Sequence, residues 1–160
     1  GHTDTLIDET KFTDTMETVA ITATDTVTLM ARLESGILGS IHVSNVCRYG
    51  SGFRLEVYGT EGLIMIQAPR WIQYSQARIY GARSGRGFQE MEIPRRFIEV
   101  NEISVLDQAF QVDKLNRRLI ESIQGRNPFS PSFQDAVKLH ETLEAIKRSH
   151  DSSRWEELSP

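Results

Sequence analysis

The chain lacks the residues on which many secreted and metal-binding domains depend. Cys47 is the single cysteine of the 160 residues, which excludes an internal disulfide and a cysteine metal cluster. No apolar run approaches the roughly 20 residues that span a bilayer, and no charged-then-apolar leader begins the chain. These absences predict a cytoplasmic protein without a membrane partner.

An excess of positive charge is also missing. Lys and Arg number 18 against 22 Asp and Glu, so the net charge is −4 with the histidines neutral. Proteins that bind nucleic acid usually present a basic face to the phosphates. The charge balance therefore predicts no nucleic-acid partner.

The sequence carries no familiar catalytic or nucleotide-binding motif. A dinucleotide fingerprint needs three glycines between a strand and a helix, so that backbone amides approach the pyrophosphate, and Gly81, Gly85 and Gly87 do not have that spacing. A phosphate loop ending in Gly-Lys-Ser/Thr, a His-Glu-x-x-His pair and a Gly-x-Ser-x-Gly turn are absent from the sequence. We therefore assign this chain no catalytic residue, no bound cofactor and no metal.

What the sequence does contain, first, is a series of strand patterns. Residues Phe53–Tyr58 alternate apolar with polar, Gly59 and Gly62 bracket a turn predicted to need a positive φ, and Leu63–Ile66 is continuously apolar. Further strands are predicted over residues 18–24, 26–33, 37–44, 71–80 and 88–93, with Gly- and Arg-rich 81–87 as a loop. About six to eight strands at this spacing indicate a mainly antiparallel sheet.

The periodicity then changes to that of helices. Apolar residues recur on one stripe from Val105 to Ile123, and Gly125 is placed to end that helix. Ser132 can cap a second helix, with Asp135 returning the hydrogen bond. Strands first and helices last predict an α+β fold: an open, mainly antiparallel sheet with C-terminal helices packed on one face.

The predicted domain organisation is simple. Residues 1–17 are predicted to be a tag remnant (Gly1 and His2) followed by an acidic N-terminal segment. A single domain is predicted over residues 18–160.

The best candidate for a binding site is the loop that leaves the strand at residue 44. Asn45, Arg48 and Tyr49 lie where loops carry binding groups on a rigid support. An Arg and a Tyr at such a place can hydrogen-bond a hydroxylated or carboxylated ligand. The alternative is an ordinary polar loop.

Three segments in order resemble one known family. They are Asp25–Ile41, the Leu55–Gly62 turn with its Gly-Thr-Glu-Gly, and the helical segments within Arg118–Ser149. Together, over about residues 18 to 158, they are similar to the C-terminal domain of the Gfo/Idh/MocA (glucose–fructose oxidoreductase / inositol dehydrogenase) family. The family's Asp-x-x-x-His pattern is not supplied by Asp4 through Asp8, so the resemblance transfers no catalytic residue.

The resemblance implies a function for the longer protein. It implies a substrate-binding and oligomerisation domain of an NAD(P)-dependent oxidoreductase acting on a sugar, cyclitol or similar substrate. NAD or NADP would be held by an N-terminal Rossmann domain, a partner absent from this chain, so the isolated chain is expected to be inactive. The resemblance also implies a homo-oligomer formed through the open sheet face.

Two alternatives remain open at this point. One is a stand-alone, non-enzymatic module that binds a ligand or dimerises. The other is a small self-contained enzyme using Arg48 or His42, for which the sequence offers no acid–base pair.

Overall fold

The computed structural model describes residues 1–72, 77–94, 97 and 109–158, with side chains of the first helix described from residue 112. Within these ranges every paired strand is antiparallel and the helices follow the strands, which confirms the predicted α+β class. The elements are β1 (His2–Asp4), β2 (Glu9–Lys11), β3 (Thr18–Ala20), β4 (Thr26–Arg32), β5 (Leu38–Ser44), β6 (Phe53–Gly59), β7 (Gly62–Ala68), β8 (Arg78–Arg83), β9 (Arg86–Met91), α1 (Ala109–Ile123) and α2 (Phe133–Ser152).

The chain divides into two compact units. The first contains Gly1–Arg48 and Pro131–Pro160, and the second contains Tyr49–Ser130. The strands accordingly form separate sheets, with the orders β1-β4-β5, β2-β3 and β6-β7-β8-β9.

In the first unit, β4 and β5 form the predicted hairpin. Their ladder runs from Thr26 opposite Ser44 to Arg32 opposite Leu38 without a register shift. The N–H of Gly36 donates to the Leu33 carbonyl at 2.8 Å, closing the turn. Gly39 lies within β5 without a bulge, and a Cβ built there would meet nothing within 4 Å.

Helix α2 begins as predicted. The Ser132 hydroxyl accepts the Asp135 N–H at 3.2 Å, and the Asp135 carboxylate accepts the Ser132 N–H at 2.6 Å. This reciprocal pair is a capping box, which satisfies two donors that a helix start leaves without partners. The hydrogen bond from the Ser132 N–H lowers the pKa of Asp135.

The buried face of α2 differs from a simple apolar stripe. Ala145 and Ser149 are buried, whereas Leu139 and His140 are exposed. The reason lies in where the helix meets β1: Gly1 lies beside Ile146 and Ser149, in the last turns. Ala145 and Ser149 are buried because this end of α2 packs against β1.

The second unit is built on the four-stranded sheet, whose central strand β7 contributes the buried Met65 and Ala68. The prediction of a positive φ in the β6–β7 turn is wrong, since the described positive-φ residues do not include Gly59 or Gly62. Position 62 needs glycine for a different reason, which is a lack of space for a side chain. A Cβ there would collide with the carbonyl oxygen of Ala82 on β8.

The predicted boundaries of the later strands are wrong. The segment predicted as a loop at residues 81–87 contains the end of β8, a turn at Ser84 and Gly85, and the start of β9. Gly81 lies within β8, where a Cβ would be 2.6 Å from the sulfur of the Met91 side chain. Residues 73–76 of the predicted 71–80 strand lie outside the described residues.

Helix α1 ends as predicted. Gly125 has a φ of +72°, and its N–H donates to the Ser122 carbonyl at 2.9 Å. The Arg126 N–H donates to the Glu121 carbonyl at 3.0 Å, which completes a Schellman motif. The predicted start at Val105 lies outside the described residues.

Two glycines in strands provide a matched test of this account. Gly62→Ala should lower the free energy of unfolding by at least about 1 kcal/mol, because the new methyl group collides with the Ala82 carbonyl. Gly39→Ala should raise it by about 0.4–1 kcal/mol, because the site is open and the unfolded chain loses entropy. Urea unfolding measures both. Equal midpoints for the two variants would contradict the packing described.

Candidate functional site

The loop after β5 presents the three predicted ligand contacts to solvent. Arg48 is exposed, and Tyr49 has a fully exposed side chain and a φ of 60°. Asn45 and Arg48 belong to the first unit and Tyr49 to the second. Among the hydrogen bonds of the described residues, none joins the side chains of these three residues. They remain predicted contacts.

The start of this loop is held by Asp25, a residue that the sequence analysis did not single out. The Asn45 N–H donates to the Asp25 carbonyl at 2.9 Å, and the Asp25 N–H donates to the Asp4 carbonyl at 3.0 Å. The Asp25 carboxylate accepts the N–H groups of Leu6 and Ile7 at 2.9 and 3.0 Å. One residue thus ties the ends of β1, β4 and β5 together.

The charge on Asp25 is favoured by these bonds. Desolvation raises its pKa, but the N–H groups of Ile7 and Leu6 and the Thr26 hydroxyl outweigh that effect, and the pKa falls below its usual value. The second oxygen, Oδ1, is buried without a hydrogen-bond partner in the described part of the chain. The carboxylate is therefore ionised at neutral pH and anchors the loop in that form.

A second arrangement lies on one face of β6. The Glu56 carboxylate accepts from Arg54 Nε at 3.0 Å and also from Arg54 Nη2, while its other oxygen accepts the Tyr58 hydroxyl at 3.0 Å. We call these three residues the polar row. The sequence predicted the alternation of β6 correctly, but it gave no sign that the polar side chains would bond to one another.

The polar row continues across the sheet. The strand register places Glu56 beside Met65, then Tyr80 and Glu90. The Tyr80 ring stacks on Phe88 with centroids 5.5 Å apart and planes 5° from parallel. This face of the second sheet combines charged hydrogen-bonding groups with aromatic rings.

The electrostatics of the polar row favour binding over proton transfer. The hydrogen bond from Arg54 lowers the pKa of Glu56, and the hydrogen bond to Glu56 raises the pKa of Tyr58. A general acid or base works best with a pKa near the working pH, so both shifts are in the wrong direction for catalysis at neutrality. The row is suited to donating and accepting hydrogen bonds with a ligand or partner.

The described residues offer little to metals or membranes. They contain no group of three or more His, Cys, Asp or Glu side chains placed to hold a metal ion. Neither described helix is long and apolar enough to cross a membrane.

Part of the chain matches a known protein family. Residues 1–65 match the family described as the GFO/IDH/MocA C-terminal domain. This part of the chain is therefore similar to a Gfo/Idh/MocA C-terminal domain. The match runs from β1 into β7, so it includes Asp25, the loop after β5 and the polar row.

One curated relative is similar to most of this chain. It is an uncharacterized oxidoreductase of Synechocystis sp., 23% identical over 136 residues, which are 84% of this chain. The chain spans about a third (36%) of the relative's length. No solved structure matches the chain.

The role of Asp25 can be tested through pH. Its folded-state pKa lies below the usual 3.8, so the stabilisation it gives is present at neutral pH and is lost as pH falls through the lowered pKa. Asp25→Asn should therefore be less stable than the parent chain at pH 7, with a gap that narrows below pH 3.8. Urea unfolding at a series of pH values measures the gap.

Asp8→Asn is the matched control for this prediction. Asp8 is exposed, and its carboxylate bonds no other group in the described ranges. This variant should follow the parent chain at every pH. A pH-independent gap for Asp25→Asn would show that its charge does not anchor the loop.

Proposed function

We propose that this chain is the substrate-binding and oligomerisation domain of an NAD(P)-dependent oxidoreductase acting on a sugar, a cyclitol or a similar hydroxylated substrate. The family match over residues 1–65 carries the proposal. The printed name of the Synechocystis relative, an oxidoreductase, supports it. The single, exposed Cys47 accords with a cytoplasmic location, which is part of the proposal.

The nucleotide would bind elsewhere in the longer protein. Gly81 lies within β8, and Gly85 and Gly87 lie in the turn and strand that follow, so these glycines lead into a strand. A pyrophosphate site needs a strand-to-helix turn whose amides point at the phosphates. The residues described here do not fit the cofactor, and a Rossmann domain in the same longer protein would hold it.

In the proposed enzyme the loop after β5 forms one wall of the substrate pocket. Arg48 supplies guanidinium donors, and Tyr49 supplies a hydroxyl that both donates and accepts. Asn45 supplies an amide and is fixed through its backbone by Asp25. Exposed donors on an anchored loop are suited to recognising the hydroxyl groups of a sugar or cyclitol.

Nucleotide binding distinguishes the proposed substrate domain from a self-contained enzyme. Residues 1–160 alone should show no change in NADH fluorescence on titration and no turnover, because no described turn fits the pyrophosphate. The longer protein should bind the nucleotide and oxidise or reduce members of a sugar and cyclitol panel. Tight NADH binding by the chain alone would contradict the proposal.

Loop variants of the longer protein provide the control. Arg48→Ala should raise KM for the substrate and leave nucleotide affinity unchanged, whereas Arg32→Ala, an exposed arginine at the end of β4, should change neither. If the longer reading frame encodes no nucleotide-binding domain, the alternative of a stand-alone ligand-binding or dimerisation module replaces the enzyme.

The oligomerisation part of the proposal rests on the apolar face of the second sheet. Leu55, Val57, Ile64 and Met91 are 44 to 56% exposed, and the strand register places them on one side of the sheet. Contiguous exposed apolar residues mark interaction surfaces in soluble proteins. We propose that a second copy of the chain covers this face, making the protein a homo-oligomer.

Charge reversal of the face tests this interface. The chain should sediment as an oligomer, and Val57→Glu should shift it to the monomer, because burying an unpaired carboxylate is costly. Thr60→Glu, in the exposed β6–β7 turn, is the matched control and should leave the oligomer intact. Val57→Glu sedimenting like the parent chain would exclude this face as the interface.

A further inference from the structure

Strand β5 forms one edge of its sheet, and this edge is exposed. In the described part of the chain the sheet order is β1-β4-β5, so β5 pairs with β4 along one side. Six of its seven residues are exposed to solvent. The edge of a sheet presents a row of backbone N–H and C=O groups with which a further strand can pair.

β5 lacks the features by which sheet edges usually prevent such pairing, which are charged side chains, proline, a bulge or a very short strand. Leu38–Ser44 contains no Asp, Glu, Lys, Arg or Pro, and its ladder with β4 has no register shift. The other edges of the described sheets differ. β6 carries Arg54 and Glu56, β9 carries Arg86 and Glu90, and β1, β2 and β3 are only three residues long. Among the described edges, β5 is therefore the one suited to accept another strand.

The ladder with β4 determines which backbone groups of β5 face the open edge. At its two ends the Leu33 N–H donates to the Ile37 carbonyl, and the Asn45 N–H donates to the Asp25 carbonyl, each at 2.9 Å. Hydrogen-bonded and non-hydrogen-bonded pairs alternate along an antiparallel ladder, so the odd-numbered residues of β5 bond to β4. The N–H and C=O groups that point away from β4 belong to Leu38, Ser40, His42 and Ser44.

From this pattern we propose that β5 pairs antiparallel with β5 of a second copy of the chain, with the two Ile41 residues opposite each other. In this register Ser40 lies opposite His42, and Leu38 lies opposite Ser44. Every outward N–H and C=O group of both strands is then hydrogen-bonded. A shift of two residues in either direction leaves Leu38 or Ser44 without a partner, so this register satisfies the most backbone groups.

The side chains of β5 are also compatible with a copy of themselves. Ile41 is 51% exposed, and side chains are closest in non-hydrogen-bonded pairs, so the two isoleucines pack against each other at the two-fold axis. On the same face Gly39 lies opposite Val43, a small residue against a large one. The strand has no Asp, Glu, Lys or Arg, so the two-fold axis brings no like charges together.

This edge is a second interface, and it rests on the oligomer proposed above for its strength. A pair of seven-residue strands is only about 23 Å long, which is small beside the roughly 1,200 Å² that stable interfaces bury. Two chains already joined through the apolar face present two β5 edges. When both edges pair with those of another dimer, each holds the other at a high effective concentration, and a closed tetramer forms.

Sedimentation of the chain and of three variants tests the edge. The parent chain should sediment as a tetramer. Ile41→Glu and Ile41→Lys should each halve that mass to a dimer, because two like charges meet at the axis. Met30→Glu is the matched control: Met30 is 63% exposed but lies on β4, the central strand, so this variant should remain a tetramer.

Mixing the two charged variants tests the register itself. An equimolar mixture of Ile41→Glu and Ile41→Lys dimers should form tetramers again, since a glutamate then faces a lysine in each edge pair. Recovery of the tetramer also shows that both variants are folded. A mixture that stays dimeric would overturn the pairing of β5 with itself.

The same measurements separate this interface from the apolar face. A parent chain that is a dimer, becomes a monomer with Val57→Glu and is unchanged by Ile41→Glu would overturn the edge and keep the apolar face. A dimer that Ile41→Glu dissociates and Val57→Glu does not would keep the edge and overturn the apolar face. A parent chain that sediments as a monomer would overturn both.

Discussion

The first unit depends on one carboxylate that satisfies backbone donors at a place where three strands end. Asp25 uses its backbone N–H and carbonyl to hold Asp4 and Asn45, and its side chain to hold the N–H groups of Leu6 and Ile7. Turns that leave a sheet expose backbone groups, which are costly when they are buried without partners. The ionised side chain of Asp25 satisfies the backbone N–H groups that follow β1. Its backbone carbonyl accepts from Asn45 and so fixes where the loop after β5 begins.

The second unit is organised by the two faces of its sheet. On one face Glu56 holds Arg54 and Tyr58, and on the other Val57 and Ile64 remain exposed to solvent. The strand alternation produces both faces at once, since neighbouring residues point in opposite directions. The same short sequence thus supplies a hydrogen-bonded polar surface and an exposed apolar surface.

Local signals in the sequence predicted the local structure well. Ser132 with Asp135 and Gly125 after α1 act through hydrogen bonds a few residues away, and the structure has both. Glycines were harder to interpret. Gly62 is required by the backbone carbonyl of Ala82, and the Met91 side chain lies beside Gly81; no local pattern reveals either contact.

The candidate site could be predicted only where its residues follow a local sequence pattern. Exposed polar residues after a strand mark a loop, so Asn45, Arg48 and Tyr49 could be named from the sequence. Asp25 could not, because its importance comes from residues 18 to 21 positions away in the chain. Nothing in the sequence connects those N–H groups to that carboxylate until β1 lies beside β4.

The pKa shifts in the chain also bear on which domain of the proposed enzyme would carry the proton-transfer group. Asp25 and Glu56 have lowered pKa values, and Tyr58 has a raised one. Each shift moves the group away from neutral pH, because each group is held in a hydrogen bond that favours its existing charge state. In the proposed enzyme such a domain would position the substrate with fixed charges and donors, and the group that accepts or gives the proton would lie on another domain.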